Sequence, residues 1–131
     1  MRIVGGETEL LKTTLNEYFT DSGRSSIRLI LEILKKKTFL VPNYICEIIL
    51  KIFEEYEISF SFYKINNDLS IDYSSLIGKH YDVIYVINYF GVNHSINEII
   101  DPSKIIVEDN VFSPLFYNKN NFPNWIGFNS F

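Results

Sequence analysis

The sequence predicts an α/β domain on a mainly parallel β-sheet with alternating helices, and three observations predict it. Val83-Ile84-Tyr85-Val86-Ile87 and Ile105-Ile106-Val107 are continuous apolar runs, the pattern of strands covered on both faces. Segments with apolar residues at helical spacing lie between such runs, so strands and helices alternate and right-handed crossovers bring the strands parallel. Polar turns follow the strands' carboxyl ends, where open α/β sheets bind ligands.

The elements follow in order. The opening, through about Thr20, has weak periodicity and is expected to be an arm lying across another surface. Asp21-Ser22-Gly23-Arg24-Ser25-Ser26 opens a helix, with Asp21 or Ser22 as cap, and Ile27, Ile30, Leu31 and Leu34 form its apolar stripe. Thr38–Val41 is a short strand stopped by Pro42-Asn43. Ile45, Ile48, Ile49, Ile52 and Phe53 make the clearest helical stripe of the chain. Ile58 to Tyr63 alternates with period two, as a half-buried strand near a sheet edge does. Asn66-Asn67-Asp68 is turn chemistry, and Ile71 to Ile77 is expected to make a helical turn or two. Val83–Ile87 is the central strand, ending in Asn88-Tyr89-Phe90-Gly91. A brief helix from Ser95 to Ile100 leads to the strand Lys104–Val107, and Ile126 to Phe131 begins another strand after an Asn- and Pro-rich loop.

A chain of 131 residues with 47% hydrophobic residues is read as one α/β domain with ample core. A formal charge of −4, with Lys35-Lys36-Lys37 as the sole basic run, excludes a nucleic-acid footprint. The single cysteine, Cys46, excludes a disulfide framework and a cysteine metal cluster. No apolar run reaches transmembrane length and no signal peptide is visible, so a cytoplasmic, membrane-free protein is expected.

Asp109, with Glu108, closes the apolar run ending at Val107. An acid at a strand's carboxyl end is aimed at a ligand about as often as it caps the next turn, with Glu108 as an exposed partner. Ser22 to Ser26 could hold an anion on free N–H groups or serve as an ordinary cap. Asn88 and Gly91 are a second turn of the same kind, expected near Asp109 if their strands are neighbours. Cys46 is placed in the first turn of a helix, and Tyr44 offers a ring face. His80 and His94 lack metal-ligand spacing.

Taken in order, Ser22-Gly23-Arg24-Ser25-Ser26-Ile27, Val41-Pro42-Asn43-Tyr44-Ile45-Cys46, Asn88-Tyr89-Phe90-Gly91, Val107-Glu108-Asp109-Asn110 and Ser130-Phe131 resemble the N-terminal half of the large domain of DegT/DnrJ/EryC1/StrS-type sugar aminotransferases. The likeness runs from Gly5-Gly6-Glu7 to the last residue. It implies the aspartate aminotransferase-like fold, pyridoxal 5'-phosphate as cofactor, and a homodimer acting on an amino donor and a keto sugar nucleotide. It also implies roles for residues. Gly23, Arg24, Ser25 and Ser130 match the segments that hold the cofactor phosphate. Asp109 matches the acid that pairs with the pyridine nitrogen, and Asn88 a position usually occupied by His. Tyr44 to Cys46 matches the segment whose aromatic stacks on the ring, with the stacking position itself falling on Cys46. The Schiff-base lysine of the family follows the Ser-Phe pair, so the chain is expected to be a truncated, inactive piece. Two alternatives stand beside this: a non-catalytic binding or interaction module on the same fold, and an unrelated flavodoxin-like domain.

Overall fold

The computed structural model describes residues 2–5, 17–91, 96, 100–112 and 122–129. Among these, seven strands form one sheet: β1 (Arg2–Gly5), β2 (Glu17–Thr20), β3 (Phe39–Pro42), β4 (Phe60–Tyr63), β5 (Val83–Ile87), β6 (Ile105–Asp109) and β7 (Trp125–Asn129). Their order across the sheet is β2-β1-β7-β6-β5-β3-β4, and every pairing is parallel. The expected strands thus occur, with β5 and the apolar run of β6 at the centre and the alternating β4 at an edge. The opening segment differs from expectation. It contributes β1 and β2 to the sheet, with β1 pairing β7, so it is not an arm. These strands are placed by long-range pairing, which a local period does not record.

Helices α1 (Gly23–Leu34) and α2 (Glu47–Glu55) follow β2 and β3. Ser22 caps α1, its hydroxyl accepting from the Ser25 N–H at 3.2 Å. The stripe Ile27, Ile30, Leu31 and Leu34 is buried against the sheet. In α2, Ile52 and Phe53 are buried, and Phe53 meets Phe39 and Phe60 edge to face. Ile71 to Ile77 contains one short 3-10 turn, Tyr73–Leu76. Of the expected helix from Ser95 to Ile100, only Ile96 and Ile100 are described, joined by an Ile100 N–H to Ile96 carbonyl bond of 3.0 Å.

Strand parity separates two cores. Phe39, Val41, Val83, Tyr85, Ile87, Val107, Ile126 and Phe128 face the helices. Leu40, Ile84, Val86, Ile106 and Trp125 face the other way and are covered by Ile71, Leu76, Ile96, Ile100 and Phe122. With both faces covered, the central strands gain from apolar residues at every position, which is why their runs are unbroken.

β6 extends further than its apolar run. Glu108 and Asp109 pair in register with Val86 and Ile87 of β5 and with Gly127 and Phe128 of β7. Both acids are therefore paired strand residues between two neighbours, and they close β6 at its carboxyl end as expected.

Candidate functional site

Because side chains alternate along a strand, the two acids of β6 project to opposite faces. Asp109 shares the helix face with Ile87 and Phe128, its register partners. It is 2% exposed and stands between two cavities. One, of about 290 Å³, is lined by Tyr44, Cys46, Ile49, Tyr89 and Phe112 besides Asp109. The other, of about 250 Å³, is lined by Gly23, Arg24, Ile48, Val111 and Phe128 besides Asp109.

The Tyr85 hydroxyl donates to Asp109 Oδ2 at 2.6 Å, and the Val111 N–H donates to Oδ1 at 3.1 Å. Burial pushes the carboxyl up from 3.8 to about 6, against those two bonds, which pull it down. Burial also raises the Tyr85 hydroxyl well above its ordinary value, and the Asp109 charge adds to it. None of the ion pairs among the described residues involves Asp109. The site is thus a hydrogen-bonded carboxylate in an apolar recess with no cation paired to it among the described residues, a natural counter-charge for a cationic group brought by a ligand.

The other expected residues divide. Gly23 and Arg24 line the second cavity. A Cβ on Gly23 would come 3.6 Å from Val111, which is ordinary contact. Ser25 is engaged elsewhere: its N–H bonds the Ser22 hydroxyl, and its own hydroxyl donates to Asp21. That bond is the main cause holding Asp21 below the usual carboxylate range. Tyr44 lies over Tyr89 with ring centroids 5.3 Å apart, and the Tyr89 hydroxyl donates to the Tyr44 carbonyl. Cys46 is exposed and is the N-cap of α2, one position earlier than the first turn expected for it.

Asn88 is not in this cleft. One residue past Ile87, it points to the opposite face, where its Nδ2 donates to Glu108 Oε1 at 2.7 Å and to Asn110. Glu108 is fully buried there, also accepting from Trp125 Nε1 at 2.7 Å. The exposed partner expected at Glu108 is therefore a buried acceptor tying β5, β6 and β7 together. Gly91 takes a left-handed φ of 82°, following Phe90 at 49°, so this turn uses glycine for its backbone. His80 is exposed. His94 and Ser130 lie outside the described residues. No group of acids, His or Cys among the described residues could hold a metal, and no described helix is long and apolar enough to cross a membrane.

Sequence reasoning missed Tyr85, Tyr89, Val111 and Phe112. Only Tyr85 carried a signal: a tyrosine inside a central strand must find a partner for its hydroxyl.

No protein-family model matches the chain, and no curated protein is significantly similar in sequence. Solved structures do match in fold. The histidinol-phosphate aminotransferase from Clostridium acetobutylicum superposes with a TM-score of 0.60 at 16% identity, over 77% of this chain and 37% of that one. The sugar aminotransferase CalS13 from Micromonospora echinospora gives 0.56 at 16%, over 68% and 29%. The PLP-bound C-S lyase from Staphylococcus hominis gives 0.53 at 10%, over 67% and 28%. The fold is the α/β fold of these aminotransferase-like proteins, and this chain spans roughly a third of their length.

Proposed function

We propose that this chain carries the cofactor-binding part of a pyridoxal-phosphate-dependent protein of the aminotransferase type. The observation that carries the proposal is Asp109: a buried, hydrogen-bonded carboxylate with no ion-pair partner among the described residues, between an apolar recess and a helix start. The residues present fit the cofactor. The first cavity would take a flat ring, with Tyr44 and Cys46 along its wall. The N–H groups of Gly23 and Arg24 at the start of α1, with the Arg24 guanidinium, would take its phosphate.

Pyridoxal phosphate, when bound, supplies a ring that accepts electrons from a substrate amino acid or amino sugar. Asp109 would hold a proton on the ring nitrogen, a charged partner that none of the described residues supplies as an ion pair. The apolar walls would exclude water and strengthen that pairing. Asn88 has no part in the assignment, since its side chain lies on the other face, donating to Glu108. The lyase neighbour shows that this fold serves more than one reaction. The sugar aminotransferase neighbour and the order of the motifs support the finer proposal: amino transfer from an amino donor to a keto sugar nucleotide by a homodimer.

The test is a titration of the 131-residue protein and its Asp109→Ala variant with pyridoxal phosphate, followed by absorbance. Saturable binding weakened about tenfold or more by the substitution is expected, the size of a lost charge-assisted hydrogen bond. Equal binding by both proteins, or none by either, overturns the proposal.

One observation favours a second reading, a non-catalytic module. Asp21 sits at the start of α1 holding the Ser25 hydroxyl, where an incoming phosphate would meet like charge. Inorganic phosphate that fails to compete with pyridoxal phosphate would favour it.

A further inference from the structure

We infer that Tyr85 is a positioning residue for Asp109: its hydroxyl orients the carboxylate and keeps it ionised in a recess that favours the neutral acid. The inference rests on the cofactor reading for its purpose, but the coupling of the two residues stands on geometry alone.

Tyr85 and Asp109 lie on adjacent central strands, β5 and β6, in the same layer of side chains. Both are buried, and the 2.6 Å bond joins the Tyr85 hydroxyl to one carboxylate oxygen. Tyr85 is itself fixed, packed edge to face on Phe53 and against Phe128, and its backbone carbonyl accepts from the Tyr63 hydroxyl at 2.9 Å. The donor therefore cannot swing away without disturbing the core. Asp109 Oδ1 is held from the other side by the Val111 N–H. Two bonds, one per oxygen, set the carboxylate plane and leave lone pairs for a ligand cation. A phenylalanine would pack equally well at this position. What the hydroxyl adds is a donor that lowers the cost of a buried negative charge.

Among the described residues, the titratable and charged groups around Asp109 are Tyr85 on β5, Tyr89 in the turn after it, Tyr44 and Cys46 ahead of α2, and Arg24 at the start of α1. Of these, Tyr85 donates a hydrogen bond directly to the carboxylate, so its removal has a defined sign. Without the donor the ionised form is less favoured and the midpoint of Asp109 rises.

The first arm needs no cofactor. Carbon-13 carboxyl NMR of the full chain follows Asp109 through its titration in the wild type and in Tyr85→Phe. An upward displacement of about one unit is expected, the size of a hydrogen bond to a charged group. An unchanged midpoint overturns the inference. Should Tyr85→Phe not fold, the ring-carbon shift of Tyr85 in the wild type decides: it must titrate with the Asp109 midpoint if the two are bonded, and a flat profile overturns the coupling. The second arm measures pyridoxal phosphate affinity against pH. Tyr85→Phe should bind several-fold more weakly near pH ~6.5 and match the wild type above pH ~8.5, where Asp109 is ionised in both. A deficit of equal size at all pH values overturns the positioning role, because lost packing has no such profile. No binding by the wild type at any pH would overturn the cofactor reading instead, leaving the first arm to decide the coupling.

Discussion

Glu108 and Asp109 are neighbours in sequence and are both buried, yet they live in opposite chemical situations. On the face away from the helices, Glu108 is consumed: Oε1 takes Asn88, Oε2 takes Trp125, and three strands are bound through one side chain. On the helix face, Asp109 holds one donor per oxygen, looks onto open cavities, and pays in raised proton affinity. A buried acid whose partners are all protein is a structural fastening. A buried acid left partly unmatched beside a cavity is where a ligand has something to gain.

The largest effect expected from this contrast is on stability, from the acid with no view of a cavity. Glu108→Ala takes the acceptor from two buried N–H groups, one on Asn88 Nδ2, whose other bond to Asn110 remains, and Trp125 Nε1. The loss should be about 3–5 kcal/mol in urea denaturation, since each orphaned group costs ~1–3 kcal/mol. Trp125→Phe, which removes only one donor, should cost about 1–2 kcal/mol. A smaller loss from Glu108→Ala than from Trp125→Phe would break the comparison.

Asp109 should show a different signature, written in pH. Its carboxyl moves from 3.8 to about 6 on burial, so the folded chain binds this proton more tightly than the unfolded one. The favourable contribution is fully present below pH ~4 and is lost as pH rises through about 6. The difference amounts to about 3 kcal/mol at 1.36 kcal/mol per unit. Asp109→Asn should abolish that falling slope while leaving the acid-side rise from carboxylates held low, such as Asp82 beneath Thr38. A slope unchanged by the substitution would place Asp109 in a less costly environment and weaken the contrast.

The smallest effect belongs to the helix start. Asp21 is exposed and engages Ser25 and Ser22. Asp21→Asn removes its charge from the anion position, so affinity for inorganic phosphate should rise a few-fold at low salt, following like-charge removal at a helix N-terminus. Isothermal titration reads this directly, and an unchanged or weaker affinity would separate the helix start from the cavity beside Asp109.

Much of this was legible before any coordinates. Continuous apolar runs announced β5 and β6, because strands covered on both faces lose their alternation. The alternation of Ile58 to Phe62 announced an edge strand, and Ser22 with the stripe behind it announced α1. Asp109 was legible as an acid at the end of a buried run. The strands β1 and β2 were not, since their pairing with β7 and with each other is long-range.

The sequence by itself determined the strands from β3 onward and the two helices, that the sheet would be parallel, and that two acids would close a central strand. Those outcomes follow from local periodicity and from burial, which each segment records in its own composition. Tertiary structure alone decided which acid meets a cavity and which is locked among neighbours. Parity puts consecutive residues on opposite faces, but both faces of this sheet are covered. Only the docking of α1 and α2 on one side, and of Asn88 and Trp125 against Glu108 on the other, tells the faces apart. For the same reason Asn88, one residue beyond Ile87, left the cleft its turn had suggested.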